Sequence, residues 1–288
     1  MKFGLFFSFL LLVLVANAAS PEEVESSIAA LHTSIVKADT DARRDTICNE
    51  MRELFISSFD DPATFDYPFS KFQFCTLKSS DHRVRLLNWN LPYKDGTHKY
   101  FCFVLLWNEK EKNFSWTELI DNTREVEKIE NKFLTPDKWL GALYYDIIPM
   151  EKKGRGDTYT LLGWDGKDNL TTRKIIDAMT ITGKKIRLGA GIFKSDDGTR
   201  KRMILEYSDE VSASVKFYSK KKCIVMDHLS PKNPMMAGIY ADYGPDGAYN
   251  MLQLKKGKWE YFEEIEVAQF SEDNDKPYID PATGRRRK

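Results

Sequence analysis

Between Pro21 and Phe59 the apolar residues recur at intervals of three and four, first Ile28, Leu31 and Ile35, then Ile47, Met51, Leu54 and Phe55. That spacing gathers them on one face of each of two helices. The stretch 19–60 therefore predicts a helical hairpin that packs through Ile47, Met51, Leu54 and Phe55 against something larger. Pro62 and Pro68 end the helical pattern and start an extended chain. From Phe72 to about Val267 the period falls to two. In "VSASVKFYS" Val211, Ala213, Val215 and Phe217 face one way and Ser212, Ser214, Lys216 and Tyr218 the other, as in a half-buried strand. "KYFCFVLLW" is apolar on both faces and needs cover on both sides. Phe101, Phe103, Leu105, Ile175, Met179, Val215, Phe217 and Val225 are the expected core.

Glycine turns punctuate the runs at Asp95-Gly96, Asp165-Gly166, Thr182-Gly183, Asp197-Gly198, Asp246-Gly247 and Lys256-Gly257, with no helical pattern between them. Such spacing predicts antiparallel hairpins. Three units emerge. The first has strands near 72–77, 84–89, 100–107 and 114–120, the second near 140–148, 159–164, 175–181 and 186–193. The third, from "KRMILEYS" to "KWEYFEEIEV", carries one extra strand. The charged stretch 122–137 joins units one and two as a short helix or loop. The fold class that follows is mainly β with N-terminal helices, its repeated antiparallel meanders forming a curved or barrel-like sheet. Propeller-like blades are the alternative. The hairpin at 19–60 packs on a single β domain of three meander units at 61–270, and 271–288 reads as a disordered tail.

Compartment comes from the first eighteen residues. Lys2, an apolar run from Phe3 to Val15 and then Ala16-Asn17-Ala18 follow the order of a secretory signal peptide. The run is shorter than the roughly 20 residues a spanning helix needs, so the mature chain is expected to be exported, periplasmic or secreted, with no transmembrane segment. The 288 residues carry 43 basic and 43 acidic side chains, and four of the positive charges sit in the tail Arg285-Arg286-Arg287-Lys288. The remaining body is acidic, which argues against a nucleic-acid partner. Cys48, Cys75, Cys102 and Cys223 are too sparse for a disulfide scaffold. A Cys75–Cys102 bridge requires their strands to be neighbours.

The pieces "HRVRLLNWN", "YYDIIPMEKKGRGDTYTLLGWDGKDNLTTRKIIDAM", "CIVMDHLSP" and "YADYGPDGAYNMLQLKKGKWEYFEEI" resemble a group of secreted β-rich proteins of the Bacteroidetes type that has no known activity. The resemblance spans roughly 65–267. It implies export and a common fold, and it transfers no catalytic residue.

Candidate chemistry is sparse. His32, His82, His98 and His228 form no HExxH or other ligand pair, and the chain has no GxSxG elbow and no phosphate-cradling glycine loop. No cofactor or metal is expected. Asp242, Asp246 and Asn250 lack the dense alternation of a calcium loop, and Arg155-Gly156-Asp157 reads as a hairpin turn. His82 and His98 read as solvated turn residues. Of Trp89, Trp107, Trp116, Trp139, Trp164 and Trp259 most occupy core strand positions. Trp89 and Trp164 stand at strand ends beside polar turns, where an aromatic face meets sugars or apolar groups. If the units are true repeats, Trp89, Asn90, Trp164, Asp165 and His228 share one rim with at least one ring partly exposed. The expected protein is an exported, non-catalytic binding or envelope-associated protein whose partner is a glycan, a peptide or an envelope protein. An exported hydrolase with an unrecognised active site is the alternative.

Overall fold

The computed structural model describes residues 19–122, 129–150 and 156–266, without the side chains of 73–75. The expected leader at 1–18, the tail at 271–288 and Arg155 lie outside the described residues.

Both expected helices form, α1 over Pro21–Lys37 and α2 over Asp41–Ser57. Ser20 and Glu23 cap α1 reciprocally, each side chain accepting the other's backbone N–H, and the Thr40 hydroxyl accepts the Arg43 N–H at the start of α2. Ile47, Met51 and Phe55 are fully buried and Leu54 half-buried. They pack onto Leu87, Trp89, Leu91, Phe101, Phe103 and Leu105 of the first sheet. Truncating Phe55 to Ala removes a ring that meets Phe69, Trp89 and Phe103, a loss of about 3–5 kcal/mol.

Fifteen strands follow among the described residues. The first sheet is the meander β1 (Thr76–Lys78), β2 (Val84–Pro92), β3 (His98–Asn108) and β4 (Asn113–Ile120). Its first strand is shorter than expected because Ser70–Cys75 is a 3₁₀ segment. β5 (Leu143–Pro149), β6 (Asp157–Asp165), β7 (Thr171–Thr182) and β8 (Lys185–Leu188) make the second meander. A small hairpin, β9 (Phe193–Ser195) and β10 (Gly198–Arg200), and the strand β11 (Met203–Ser208) precede β12 (Val215–Tyr218), β13 (Cys223–Pro231), β14 (Tyr243–Lys255) and β15 (Lys258–Phe262). β11, expected in the third unit, instead pairs with β7 in the register Met203↔Ile176 to Ser208↔Thr171. The third sheet takes the β9–β10 hairpin in its place, through a parallel pairing of β9 with β15.

The three sheets stack face to face. Even positions of β3, Tyr100, Cys102 and Val104, join Tyr159, Leu161, Ile175 and Met179 between the first and second sheets. Odd positions Phe101, Phe103 and Leu105 face the helices. The opposite face of the second sheet, with Leu162, Ile176 and Ala178, meets Val215, Ile224, Met226, Leu252 and Trp259 of the third. Helices, first sheet, second sheet and third sheet are thus successive layers. This corrects the curved or barrel-like sheet: no closed barrel and no propeller is formed among the described residues. The reason lies in strands such as β3, β6 and β7. A sheet apolar on both faces is satisfied by a layer on each side, and curling it around itself would cover only one. Of the expected core residues, Phe217 alone is half-buried and the other seven are buried.

Asp177 on β7 and Arg202 form an ion pair at 3.0 Å with both side chains fully buried, and Arg202 also donates to the Lys132 carbonyl at 2.9 Å. Burial pushes the Asp177 carboxyl above its ordinary range, against the pull of Arg202. Cys48, Cys102 and Cys223 are buried. Cys102 is a free thiol, and β1 and β3 lie on opposite sides of β2, about 10 Å apart by ordinary strand spacing. Cys75, the partner considered for Cys102, lies in the Ser70–Cys75 segment ahead of β1, and its side chain is outside the described set.

Candidate functional site

The expected rim is only partly assembled. Asn90, Trp164 and Asp165 do converge, because the β2–β3 and β6–β7 turns of the stacked meanders lie at one end. Asn169 donates to the Asp95 carbonyl at 2.7 Å and packs where Gly96, at φ +81°, has no Cβ. Asn90 Nδ2 donates to His98 Nδ1 at 3.0 Å, so the proton of the neutral ring sits on Nε2. Burial lowers the His98 pKa, with Asp209 and Asp95 opposing. The ring meets Trp164 edge to face at 5.1 Å.

Asp165, 2% exposed, accepts from the Tyr100 hydroxyl and the Lys167 N–H, both at 2.9 Å. The Gly166 N–H donates to the Tyr100 oxygen at 2.8 Å, and Arg173 stands 3.7 Å from the second carboxylate oxygen. Arg173 Nε also binds Glu206 at 2.7 Å, and Lys167 pairs with the other oxygen of Glu206. Burial raises the pKa of Asp165 and drives that of Tyr100 well above its usual value. Glu206 moves the other way: burial opposes its charge, but Lys167 and Arg173 outweigh it. Shifted titratable groups thus do converge here, but they close on one another and leave Asp165 sealed from solvent. The cluster is a latch between two hairpins.

The two tryptophans do not form a binding face, which corrects the aromatic rim. Trp89 is 4% and Trp164 6% exposed. Trp89 stacks on Phe101 at 4.9 Å with an interplanar angle of 3° and faces Phe55 at 5.2 Å. The helical layer covers one ring and the adjoining hairpin the other. His228 stays within the third sheet, where its Nδ1 lies 2.7 Å from Asp246 on β14. Asp242 accepts from the Asn233 N–H and Asn250 from the Glu264 N–H, so Asp242, Asp246 and Asn250 serve separate turns. Among the described residues no group of three or more His, Cys, Asp or Glu side chains is placed to hold a metal ion.

An open site lies at the opposite end of the first two sheets. A groove of about 950 Å³ is bounded by Phe65 and Asp66, the end of β1 at Lys78, the β1–β2 turn Asp81-His82-Arg83, the end of β3 from Leu106 to Asn108 with Glu109 and Lys110 of the turn after it, and Gly183-Lys184 of the β7–β8 turn. Sequence places it there because three turns of two stacked meanders end at the same level. His82 has φ +58°, a left-handed conformation that costs a non-glycine residue about 1 kcal/mol, and its side chain is exposed. Asp81 accepts from the Ser79 hydroxyl at 2.5 Å, the Arg83 N–H at 3.1 Å and the Tyr159 hydroxyl at 2.8 Å. Arg83 pairs with Asp157 at 2.7 Å. Trp107 is half-buried, tilts against Phe65 at 5.1 Å and donates its indole N–H to Glu109 at 2.8 Å. Lys112 and Trp107 hold the Glu109 carboxyl below the usual range. Lys78 pairs with Asp66.

The groove therefore presents an aromatic ring, both signs of charge and several hydrogen-bonding groups. Each carboxylate in it is already held by a neighbour. This suits recognition better than proton transfer. By its sequence pattern Trp107 belongs to the core and His82 to a solvated turn. Trp107 nevertheless stands, like Trp89 and Trp164, at a strand end beside a polar turn.

No protein family matches the chain, and neither do any curated proteins or solved structures.

Proposed function

We propose that the protein is an exported, non-catalytic binding protein that holds a glycan segment along the groove between the first and second sheets. The observation that carries this reading is Trp107, whose half-exposed ring stands among Asp81, His82, Arg83, Asn108 and Lys184. An aromatic plane meets the C–H face of a sugar while planar polar groups beside it meet the hydroxyls. Lys78, Arg83, Lys110 and Lys184 nearly balance Asp66, Asp81 and Glu109, which favours a neutral or mixed-charge ligand over a polyanion. Export rests on the leader pattern of residues 1–18 and on the resemblance to secreted β-rich proteins. Among the described residues no helix is long and apolar enough to cross a membrane.

The test is a binding screen against soluble fragments of envelope glycans, read by tryptophan fluorescence and calorimetry. Trp107→Ala should weaken binding by about tenfold or more, and Trp107→Phe should restore part of it. Unchanged affinity in Trp107→Ala sinks the proposal. The hydrolase alternative is favoured instead if the ligand is cleaved and Asp81→Asn abolishes cleavage while binding persists. Determining the N-terminus of protein recovered outside the cytoplasm tests export, with Ala19 as the expected first residue.

A further inference from the structure

The loop between β13 and β14 stands out from the layers. From Lys232 to Ala241 every residue is exposed except Met236, which is half-buried. Met235 is 90% exposed, Ile239 49% and Tyr240 47%. The stretch Asn233 to Ala241 has no charged side chain, although the other hairpin turns of the chain carry lysine, aspartate or glutamate. Elsewhere exposed apolar side chains stand singly or against a neighbour: Val36 near the end of α1, Phe133 beside Arg187 and Lys201, Phe262 under Lys255, and Trp116 against Phe59. Single exposed apolar residues are ordinary, whereas a group of them on one projecting loop marks a contact surface.

The backbone of this loop is fixed. Asn233 caps the short 3₁₀ turn Pro234–Met236, accepting the Met235 N–H on its side chain at 3.0 Å and the Met236 N–H on its carbonyl at 2.8 Å. The Ile239 N–H donates to the Met236 carbonyl and the Asp242 N–H to the Ile239 carbonyl, both at 2.9 Å. Gly238, at φ +89°, makes the bend after this turn, and its N–H donates to the Tyr243 hydroxyl at 3.0 Å. Asp242 accepts the N–H groups of both Lys232 and Asn233 and closes the loop at its base. With these N–H groups engaged, Met235 and Ile239 can enter an apolar medium without carrying bare amides into it. The conformation is set before any partner arrives, so docking loses little chain entropy.

We infer that this loop is a shallow anchor in a lipid bilayer, with Met235 and Ile239 entering the upper acyl layer. Side chains change in order from the apex to the base. Met235 and Ile239 come first, then Tyr240 packed on Tyr243 at 5.2 Å, then the charged groups. At the base Lys232 pairs with Glu210 at 3.8 Å and His228 with Asp246 at 2.7 Å. Apolar, aromatic and then charged is the order in which side chains are met on leaving a bilayer. Carboxylates outnumber lysine at the base, where Asp242 and Asp246 join the Lys232–Glu210 pair, which favours zwitterionic over anionic lipid. A stable protein interface takes about 20–30 residues a side, more than this loop offers, whereas a bilayer deforms around a narrow apex. The groove at Trp107 contains no residue of the loop, so the anchor does not rest on the glycan reading.

The test is flotation of the full chain with phosphatidylcholine vesicles, together with the emission of the indole introduced by Tyr240→Trp. That indole should shift to the blue when vesicles are added and be quenched by lipids brominated in their acyl chains. Partitioning of Met235→Asp, Ile239→Asp should fall by about tenfold or more relative to the parent, and Ile239→Leu should keep it. The leader is common to all of these chains. A control with the same changes at exposed apolar sites elsewhere, Val36→Asp, Phe133→Asp, should also keep it, and added salt should not reverse the binding, because apolar contact is not screened. In solution Met235 should be oxidised by dilute peroxide as readily as free methionine, and vesicles should protect it. Three outcomes overturn the inference. The first is an introduced indole that acyl bromine does not quench, and the second an equal loss in the control variant. The third is Met235 already protected without vesicles, which would mean that a second copy or residues 267–288, which leave the described fold beside Tyr249, cover the loop.

Discussion

The two ends of the first and second sheets carry similar chemistry and use it in opposite ways. At one end Asn90, His98, Tyr100, Asp165, Arg173 and Glu206 bind one another across the β2–β3 and β6–β7 hairpins. At the other end Asp81, His82, Arg83 and Trp107 line a groove open to solvent. The first end holds Asp165 and Tyr100 buried, the second has the room. Convergence of ionisable residues therefore marks function only where a ligand can reach them. A closed cluster of the same residues is a device for fixing one layer on the next.

The comparison breaks most readily at the latch. Asp165→Ala leaves the Tyr100 hydroxyl, the Lys167 N–H and Arg173 without their shared acceptor, and should lower stability by about 3 kcal/mol in chemical denaturation. If ligand binding at the groove is lost while stability holds, the roles of the two ends are exchanged. Tyr100→Phe removes one hydroxyl from the same network and should cost about 1–3 kcal/mol. Trp107→Ala should show the converse pattern, with glycan affinity down by about tenfold and a smaller loss of stability.

A pH series sharpens the distinction. The Asp165 pKa is raised in the folded state, so above the ordinary carboxyl value the unfolded chain has released a proton that the folded chain retains. Its contribution to stability is present at low pH and is lost as pH rises through the raised value. Glu206, with a lowered pKa, contributes above the ordinary value and loses that contribution as pH falls. Thermal midpoints of Asp165→Asn measured beside those of the parent should lack the first dependence and keep the second. The smallest effect is expected for Asn90→Ala. The half-buried Asn90–His98 hydrogen bond is worth about 1 kcal/mol, and its loss should leave binding at the groove unchanged.

Much of the architecture was legible along the chain. Ile47, Met51, Leu54 and Phe55 read as a helix face and pack as one, and the double-faced apolar pattern of β3 announced cover on both sides. Those features depend on period and on local capping, which neighbouring residues alone encode. The partner of β11 was hidden, because a strand's hydrogen bonds do not depend on its side chains, and only the packing of layers placed it beside β7. The aromatic rim failed for a related reason. Trp89 and Trp164 do stand at strand ends, but whether a strand end is open depends on what the next layer lays over it.

By itself the sequence determined the helical hairpin, the antiparallel meanders and most of the core, since periodicity and turn chemistry act over a few residues. The tertiary structure decided that the sheets stack instead of closing, that Asp165 is sealed while His82 and Arg83 are open, and that the loop carrying Met235 and Ile239 stands clear of every layer. Each of these follows from which surfaces come to cover one another, a property of contacts far apart in the chain that local pattern does not carry.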